Sequence, residues 1–146
     1  MLLLAVVCLM ATAACSDGGS ADNSEAGLKA AVKGFANGLY QGDYKTAYLA
    51  FAKACRDRTP FPAFTRAIEA AKPGFEAELN IKIGDVEVKD VLVRNFADKR
   101  AEAALVTGVK GRSDLDNTSA FDPWAIEDGS WRFSECMGMP GRGSTD

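Results

Sequence analysis

The sequence predicts an α+β fold in which three N-terminal helices pack on a curved antiparallel sheet of about four strands. Three observations lead to this prediction. Apolar residues recur at helical spacing up to about residue 72, the apolar period changes to two from Leu79 onwards, and Asp128-Gly129 separates two alternating runs near the C-terminus. Helices that precede an antiparallel sheet and cover one side of it define the α+β class.

Three segments carry an apolar stripe at helical spacing and are predicted to be helices: residues 25–41, 44–54 and 60–72. Their ends follow from local chemistry. Gly42 supplies the left-handed residue that ends the first helix, and Asp43 is a favourable N-cap for the second. Pro60 suits the first position of the third helix, where its missing N–H costs nothing, and Pro73-Gly74 is expected to stop that helix.

From Leu79 the apolar residues alternate with polar ones, which predicts that a long strand begins there. The phase of the alternation shifts near Lys89-Asp90, as it does where a β-bulge bends a sheet. Residues 100–110 are predicted to form the next strand, and the polar residues 111–117 are predicted to form a loop.

The clearest local signal is the dipeptide Asp128-Gly129, which predicts a two-residue type I′ turn between the last two strands. This register produces two cross-strand pairs that share one face of the sheet: Ile126 with Trp131, and Trp124 with Phe133. In a regular strand Cys136 would point to the face opposite Trp131 and Phe133. We therefore expect it to lie past the end of the last strand or after a bulge. Residues 137–146 are predicted to be a loose tail.

Composition excludes several kinds of chemistry. The chain has 146 residues and no histidine, so it holds no Ser-His-Asp triad, no Cys-His dyad and no HExxH zinc site. A net charge of −3 and an isoelectric point of about 5.0 argue against non-specific nucleic-acid binding, which requires a basic face. No motif indicates a cofactor or a metal ion, so we expect neither.

The N-terminal residues 1–14 are apolar and uncharged, and their apolar run is too short to span a bilayer as a helix. Small residues, Cys15 and a polar stretch follow. This arrangement resembles the signal of bacterial lipoproteins, in which the cysteine is diacylated and becomes the new N-terminus. The resemblance implies a signal peptide, lipidation of Cys15, a flexible tether over residues 15–24, and a location on the extracytoplasmic face of the cell membrane.

The four cysteines are Cys8, Cys15, Cys55 and Cys136. Cleavage before Cys15 discards Cys8, and acylation occupies Cys15. Cys55 and Cys136 then remain as an even pair for a disulfide in an oxidising compartment. An ordinary secretory cut after Ala13 would leave three thiols instead. The pattern also fits an N-terminal helix that is retained, and it fits two buried cysteines that stay reduced.

Three helices followed by a curved antiparallel sheet resemble the nuclear transport factor 2-like, or cone-like α+β, superfamily. The likeness covers residues 25–136, and three segments carry it: Gly42-Asp43-Tyr44, Ala101-Glu102-Ala103 and the hairpin from Trp124 to Trp131. Together with the leader, the chain is similar to small envelope lipoproteins of actinobacteria. The resemblance implies a sheet that curls around an apolar pocket. Members include ketosteroid isomerase, polyketide cyclases, ligand binders and assembly modules.

Six aromatic residues are candidates for lining such a pocket: Tyr40, Tyr44, Tyr48, Phe51, Trp124 and Trp131. Tyrosines at helical spacing and a hairpin pair of tryptophans are more often core residues than ligand contacts. We expect a non-enzymatic binding or assembly module that takes a small apolar ligand or a protein partner and is able to form a homodimer. An isomerase or lyase with an Asp/Tyr pair is an alternative function, and so is a subunit of an envelope transport complex.

Overall fold

The structure is a computed structural model that describes residues 22–136, and within them helices precede an antiparallel sheet. The helices are α1 (Glu25–Gln41), α2 (Tyr44–Leu49), α3 (Lys53–Arg58) and α4 (Phe61–Leu79), followed by a 3₁₀ turn (Ile83–Asp85). The strands are β1 (Val86–Ala97), β2 (Arg100–Val109), β3 (Arg112–Thr118), β4 (Asp122–Glu127) and β5 (Ser130–Phe133). The predicted α+β class is confirmed, with four helices instead of three in this part of the chain. The predicted signal peptide, Cys15 and the tail lie outside the described residues.

The ends of α1 match the prediction because short-range contacts determine them. The Ser24 hydroxyl accepts a hydrogen bond from the Gly27 N–H at 3.1 Å and caps the start of the helix. Gly42, with φ of +81°, ends it. The Asp43 carboxylate then accepts from the Thr46 N–H at 3.2 Å and starts α2, as predicted.

The predicted helix over residues 44–54 is wrong in its length, because α2 ends at Leu49. The backbone after it bonds to the last strand instead. Phe133 N–H donates to the Ala50 oxygen at 2.8 Å, and Ala52 N–H donates to the Phe133 oxygen at 3.0 Å. These two bonds join the helical layer to one edge of the sheet. A partner that is distant in sequence therefore interrupts the helix.

Helix α4 is longer than predicted, because it continues through Pro73 to Leu79. A proline inside a helix removes one backbone donor, and here the helix accommodates that loss. Asn80, in a left-handed conformation with φ of +51°, ends α4. The Glu76 carboxylate accepts from the Ile83 N–H at 2.8 Å and holds the chain reversal that follows. The strand expected from Leu79 therefore begins only at Val86.

Strand β2 is central, with β1 along one side and β3 and β4 in succession along the other. The loop predicted for residues 111–117 is wrong, since most of this segment forms β3. Most of its polar side chains are exposed, so no alternation of apolar and polar residues indicates the strand. Ser119, between β3 and β4, binds to β2: its N–H donates to the Leu105 oxygen at 2.8 Å and its hydroxyl accepts from the Leu105 N–H at 2.9 Å. The predicted bulge is confirmed by a register shift between Val88 and Asp90.

The predicted C-terminal hairpin is confirmed, including its register. The two expected pairs are present: Trp124 with Phe133, and Ile126 with Trp131. Asp128 and Gly129 have φ of +50° and +73°, as both central residues of a type I′ turn require. On this face Trp124 and Phe133 pack on Phe35 of α1, with centroid distances of 6.1 and 6.0 Å.

The hydrophobic core lies between α1, the α2–α3 segment, α4 and the concave face of the sheet. Its fully buried members include Leu28, Phe51, Phe64 and Val91. The predicted disulfide is present and joins Cys55 of α3 to Cys136, just past the end of β5, with Cα atoms 5.1 Å apart. The described residues thus form one hydrophobic core cluster, which the disulfide borders.

Candidate functional site

An apolar cleft of about 460 Å³ opens between the C-terminal ends of α1 and α4 and strands β1, β2 and β3. Its apolar lining includes six residues from these elements and the turn after α4: Phe75, Leu79, Ile81, Val86, Leu105 and Val109. Small-molecule sites are concave, mostly apolar and typically about 300–1,000 Å³ in volume. The cleft therefore has the size and the surface of a ligand site.

The outer wall of the cleft is the C-terminal half of α4. No residue of α4 after Ile68 is buried, while Phe75 and Leu79 are 43% and 36% exposed. Both side chains expose apolar surface to water at the edge of a concavity. An apolar molecule that binds there removes this surface from water, which is favourable. This half of α4 thus belongs to the cleft more than to the core.

Tyr40, in the last turn of α1, places a phenol in the lining. Burial raises the pKa of Tyr40 above its usual value, so the phenol stays protonated throughout the physiological range. Tyr40 is therefore a protonated phenol in the lining of the cleft, which also holds the polar residues Thr107, Asn117 and Ser119.

The carboxylates at the rim already have cationic partners. Asp114 accepts two hydrogen bonds from the Arg112 guanidinium, both at 2.9 Å, and this contact lowers the pKa of Asp114. Asp116 accepts from the Lys89 ammonium at 2.6 and 2.7 Å. Gly108 allows the second pair to lie against β2, because a Cβ there would collide with Lys89 and Asp116. Both acidic groups at the rim are thus neutralised by neighbours.

The other two tyrosine candidates lie outside the cleft and have local partners. Tyr48 donates from its hydroxyl to the backbone oxygens of Arg56 and Thr59, each at 3.0 Å, and so satisfies carbonyls at the end of α3. The Tyr44 hydroxyl faces Glu69, whose carboxylate raises the pKa of Tyr44 to about 12. Both side chains join the helices to one another.

The remaining candidates belong to the core. Phe51 and Trp124 both pack on Phe133, with ring centroids 5.3 and 5.7 Å apart, and Trp131 is 4% exposed. The space between α1 and the sheet is nearly filled, since the void that Phe35, Trp124 and Phe133 border there measures only about 10 Å³. Asp122 borders that void, and burial raises the pKa of its carboxyl. Tyr40 and Asp122 therefore border different cavities.

The sequence prediction missed the α4 wall of the cleft, although a signal was present. Apolar residues continue at spacings of three or four across Pro73: Phe64, Ile68, Ala71, Phe75 and Leu79. Reading the proline as a stop concealed that stripe.

No group of three or more Cys, Asp or Glu side chains within residues 22–136 could hold a metal ion. None of the helices described there is long and apolar enough to cross a membrane. Comparisons of the chain with models of protein families, with curated proteins and with solved structures found no match. The contacts, burial and charges of the chain itself therefore carry the functional proposal.

Proposed function

We propose that this chain is an extracytoplasmic lipoprotein, anchored to the membrane through Cys15, whose domain binds a small apolar molecule in the cleft. One observation carries the binding role: the cleft is open, mostly apolar and about 460 Å³ in volume, while the space between α1 and the sheet is nearly filled. The order of helices and strands, with a concavity at one end of a curled sheet, supports the likeness to the nuclear transport factor 2-like superfamily.

The cleft suits binding better than proton transfer. Its rim carboxylates are held in ion pairs, and the half-buried carboxyl of Asp122 borders a void too small for a ligand. A general base must reach the substrate proton at hydrogen-bond distance. Binding in the cleft is favoured by the removal of apolar surface from water, which contributes a free energy of about 25 cal/mol per Å² buried.

The cleft is tested by filling it. Thr107, on the lining of β2, is replaced by Trp in a chain of residues 16–146, and binding of the neutral fluorophore N-phenyl-1-naphthylamine is titrated. We expect the affinity to fall roughly tenfold or more, because the indole occupies the volume that the probe requires. Thr118→Trp, on the neighbouring exposed strand, is the matched control and should leave the affinity unchanged.

Equal binding by the wild type and Thr107→Trp would contradict the cleft as the binding site. Circular dichroism and thermal unfolding of both Trp variants establish that each is folded. An equal loss of affinity in Thr118→Trp would mean that a Trp substitution weakens binding by disturbing the structure generally and not by filling the cleft.

The anchor is tested on the protein made from the full gene in a bacterium that processes lipoproteins. We expect the mature N-terminus to be Cys15 carrying a diacylglyceryl group, because the leader and tether resemble a lipoprotein signal. Intact-mass spectrometry should show the lipid mass lost in Cys15→Ser and retained in Cys8→Ser. An N-terminus at Ala14 with an unmodified Cys15 would indicate an ordinary secreted protein.

The disulfide between Cys55 and Cys136 supports a location outside the cytoplasm, because such bonds form and persist in oxidising compartments. The location and the binding role are independent of each other. A secreted, unacylated chain would still carry the cleft.

A further inference from the structure

Strand β1 forms an open edge of the sheet. Within the described residues it pairs only with β2, whereas at the far side of the sheet β5 is bonded to the backbone around Phe51. The edge of β3 is polar apart from Leu115. An exposed edge strand is a template for pairing with another chain unless lysine, proline or bulges protect it. The residues along β1 therefore decide whether a second strand can be added.

Two register shifts, one after Val88 and one after Arg94, bound an uninterrupted stretch of β1 over residues 90–94, which we call the edge segment. It contains neither lysine nor proline. Lys89, directly before it, is turned away from the edge, because its ammonium binds the Asp116 carboxylate on β3 at 2.6 and 2.7 Å. The edge segment thus has the length of an ordinary strand and lacks the usual protection.

The backbone of the edge segment presents hydrogen-bonding groups to the open side. Leu105, which lies opposite Val91, directs its N–H and its carbonyl oxygen to Ser119, on the side away from β1. Opposite residues of an antiparallel pair exchange both bonds or neither, so Val91 also directs its backbone outwards. Its N–H there donates to the neighbouring Asp90 carboxylate at 2.7 Å. Val93, two residues on in the same register, faces the same way.

We propose that the edge segment pairs antiparallel with the edge segment of a second copy of this chain, about a twofold axis at Leu92. This register places Val91 opposite Val93 of the partner subunit, and each such pair can exchange both backbone bonds. Leu92, which is 40% exposed, then meets Leu92 of the partner subunit. The apolar surface that β1 leaves in water is thereby covered.

The charges of the edge segment are self-complementary in this register. Asp90 and Arg94 are exposed on the same face as Leu92, and the pairing brings Asp90 opposite Arg94 of the partner subunit twice. Asp90 forms no ion pair within the described residues, and Arg94 binds Glu102 through Nε and Nη2, which leaves Nη1 for a partner. Pairing centred on Val91 or on Val93 would instead place a charge opposite Leu92.

The inference does not depend on the proposed binding function, because no residue of the edge segment lines the cleft. Photo-crosslinking tests it on protein made from the full gene and purified to about 0.1 mM, since a short strand pair forms a small and weak interface. Leu92→p-benzoylphenylalanine should give a dimer whose cross-link maps to residues 90–94 of the second copy. Leu49, on α2 and 41% exposed, is the matched control, and the same probe there should leave the chain monomeric.

A charge exchange tests the register with Leu92 intact. Asp90→Arg and Arg94→Asp each turn two attractive pairs into repulsive ones, so we expect each to raise the dimer dissociation constant about tenfold. The double variant Asp90→Arg/Arg94→Asp should restore the wild-type value. Glu87→Arg, on the same strand outside the edge segment, makes the same change of charge as Asp90→Arg and should have no effect. Native mass spectrometry measures the dimer, and circular dichroism establishes that each variant is folded.

Three results would overturn the inference. If the wild type stays monomeric up to about 1 mM, the edge does not pair with a second copy. If the double variant fails to recover the dimer that the single variants lose, the register about Leu92 is wrong. If irradiation of cells that carry the Leu92 probe cross-links the chain to a different protein and not to itself, the edge binds a foreign partner.

Discussion

Gly38 lies where α1 packs against α2, at a point with room for hydrogen but not for a methyl group. A Cβ at this position would lie 2.9 Å from both Ala47 N and Asp43 O. These are backbone atoms, which cannot rotate away as the end of a long side chain can. Gly34, one turn earlier in the same helix, has no atom within 4 Å of its Cβ position. The two glycines therefore occupy the same helix for different reasons.

We expect Gly38→Ala and Gly34→Ala to change stability in opposite directions. Gly38→Ala should lower the free energy of unfolding by about 1–3 kcal/mol, because the methyl group pushes the helices apart. Gly34→Ala should raise it by about 0.5–1 kcal/mol, because alanine loses less backbone entropy in a helix. Urea denaturation followed by circular dichroism measures both changes. Equal stability of the two variants would contradict the close approach of α1 and α2.

At the scale of single elements, the sequence predicts most reliably where short-range chemistry determines the outcome. Gly42 and Asp43 separate α1 from α2, and the turn at Asp128-Gly129 sets the register of the last hairpin. In each place the deciding contacts lie within a few residues. The disulfide between Cys55 and Cys136 was predicted from the cysteine count together with the lipoprotein resemblance, which assigns Cys8 to the leader and Cys15 to the anchor.

Where distant partners decide, the sequence pattern is insufficient. Helix α2 ends because Phe133 bonds to the backbone beyond Leu49, and no local residue indicates that contact. Strand β3 forms because β2 offers it an edge, while its exposed polar side chains resemble a loop. The sequence indicates Tyr40 as a pocket residue. The cleft also requires Phe75 and Leu79, which line it opposite β2 only because α4 continues as a helix beyond Pro73.

On the scale of the whole molecule, backbone hydrogen bonds and the disulfide join the helical layer to the C-terminal end of the sheet. The backbone around Phe51 pairs with Phe133, and the disulfide from Cys55 to Cys136 reinforces the same junction. The cleft lies elsewhere, and neither cysteine lines it. The fold thus has one end that is fixed covalently and another that stays open to water.

The disulfide is expected to stabilise the domain chiefly by restricting the unfolded chain. It closes a sequence separation of 81 residues, and the loop-entropy relation gives about 4–5 kcal/mol for a loop of that size. Urea unfolding of the oxidised and the reduced protein should therefore differ by about that much. The dependence on urea should be steeper after reduction, because the reduced chain exposes more surface when it unfolds. Coincident unfolding curves for the two redox states would contradict the entropic role.

Reduction of the disulfide also tests whether the two ends of the fold are independent. Since the cleft is built by α1, α4 and β1–β3, reduced protein below its unfolding transition should still bind N-phenyl-1-naphthylamine. The double variant Cys55→Ala/Cys136→Ala is the control, because its unfolding and its binding should not respond to reductant. Loss of binding in protein that is reduced but still folded by circular dichroism would mean that the covalent junction shapes the cleft after all.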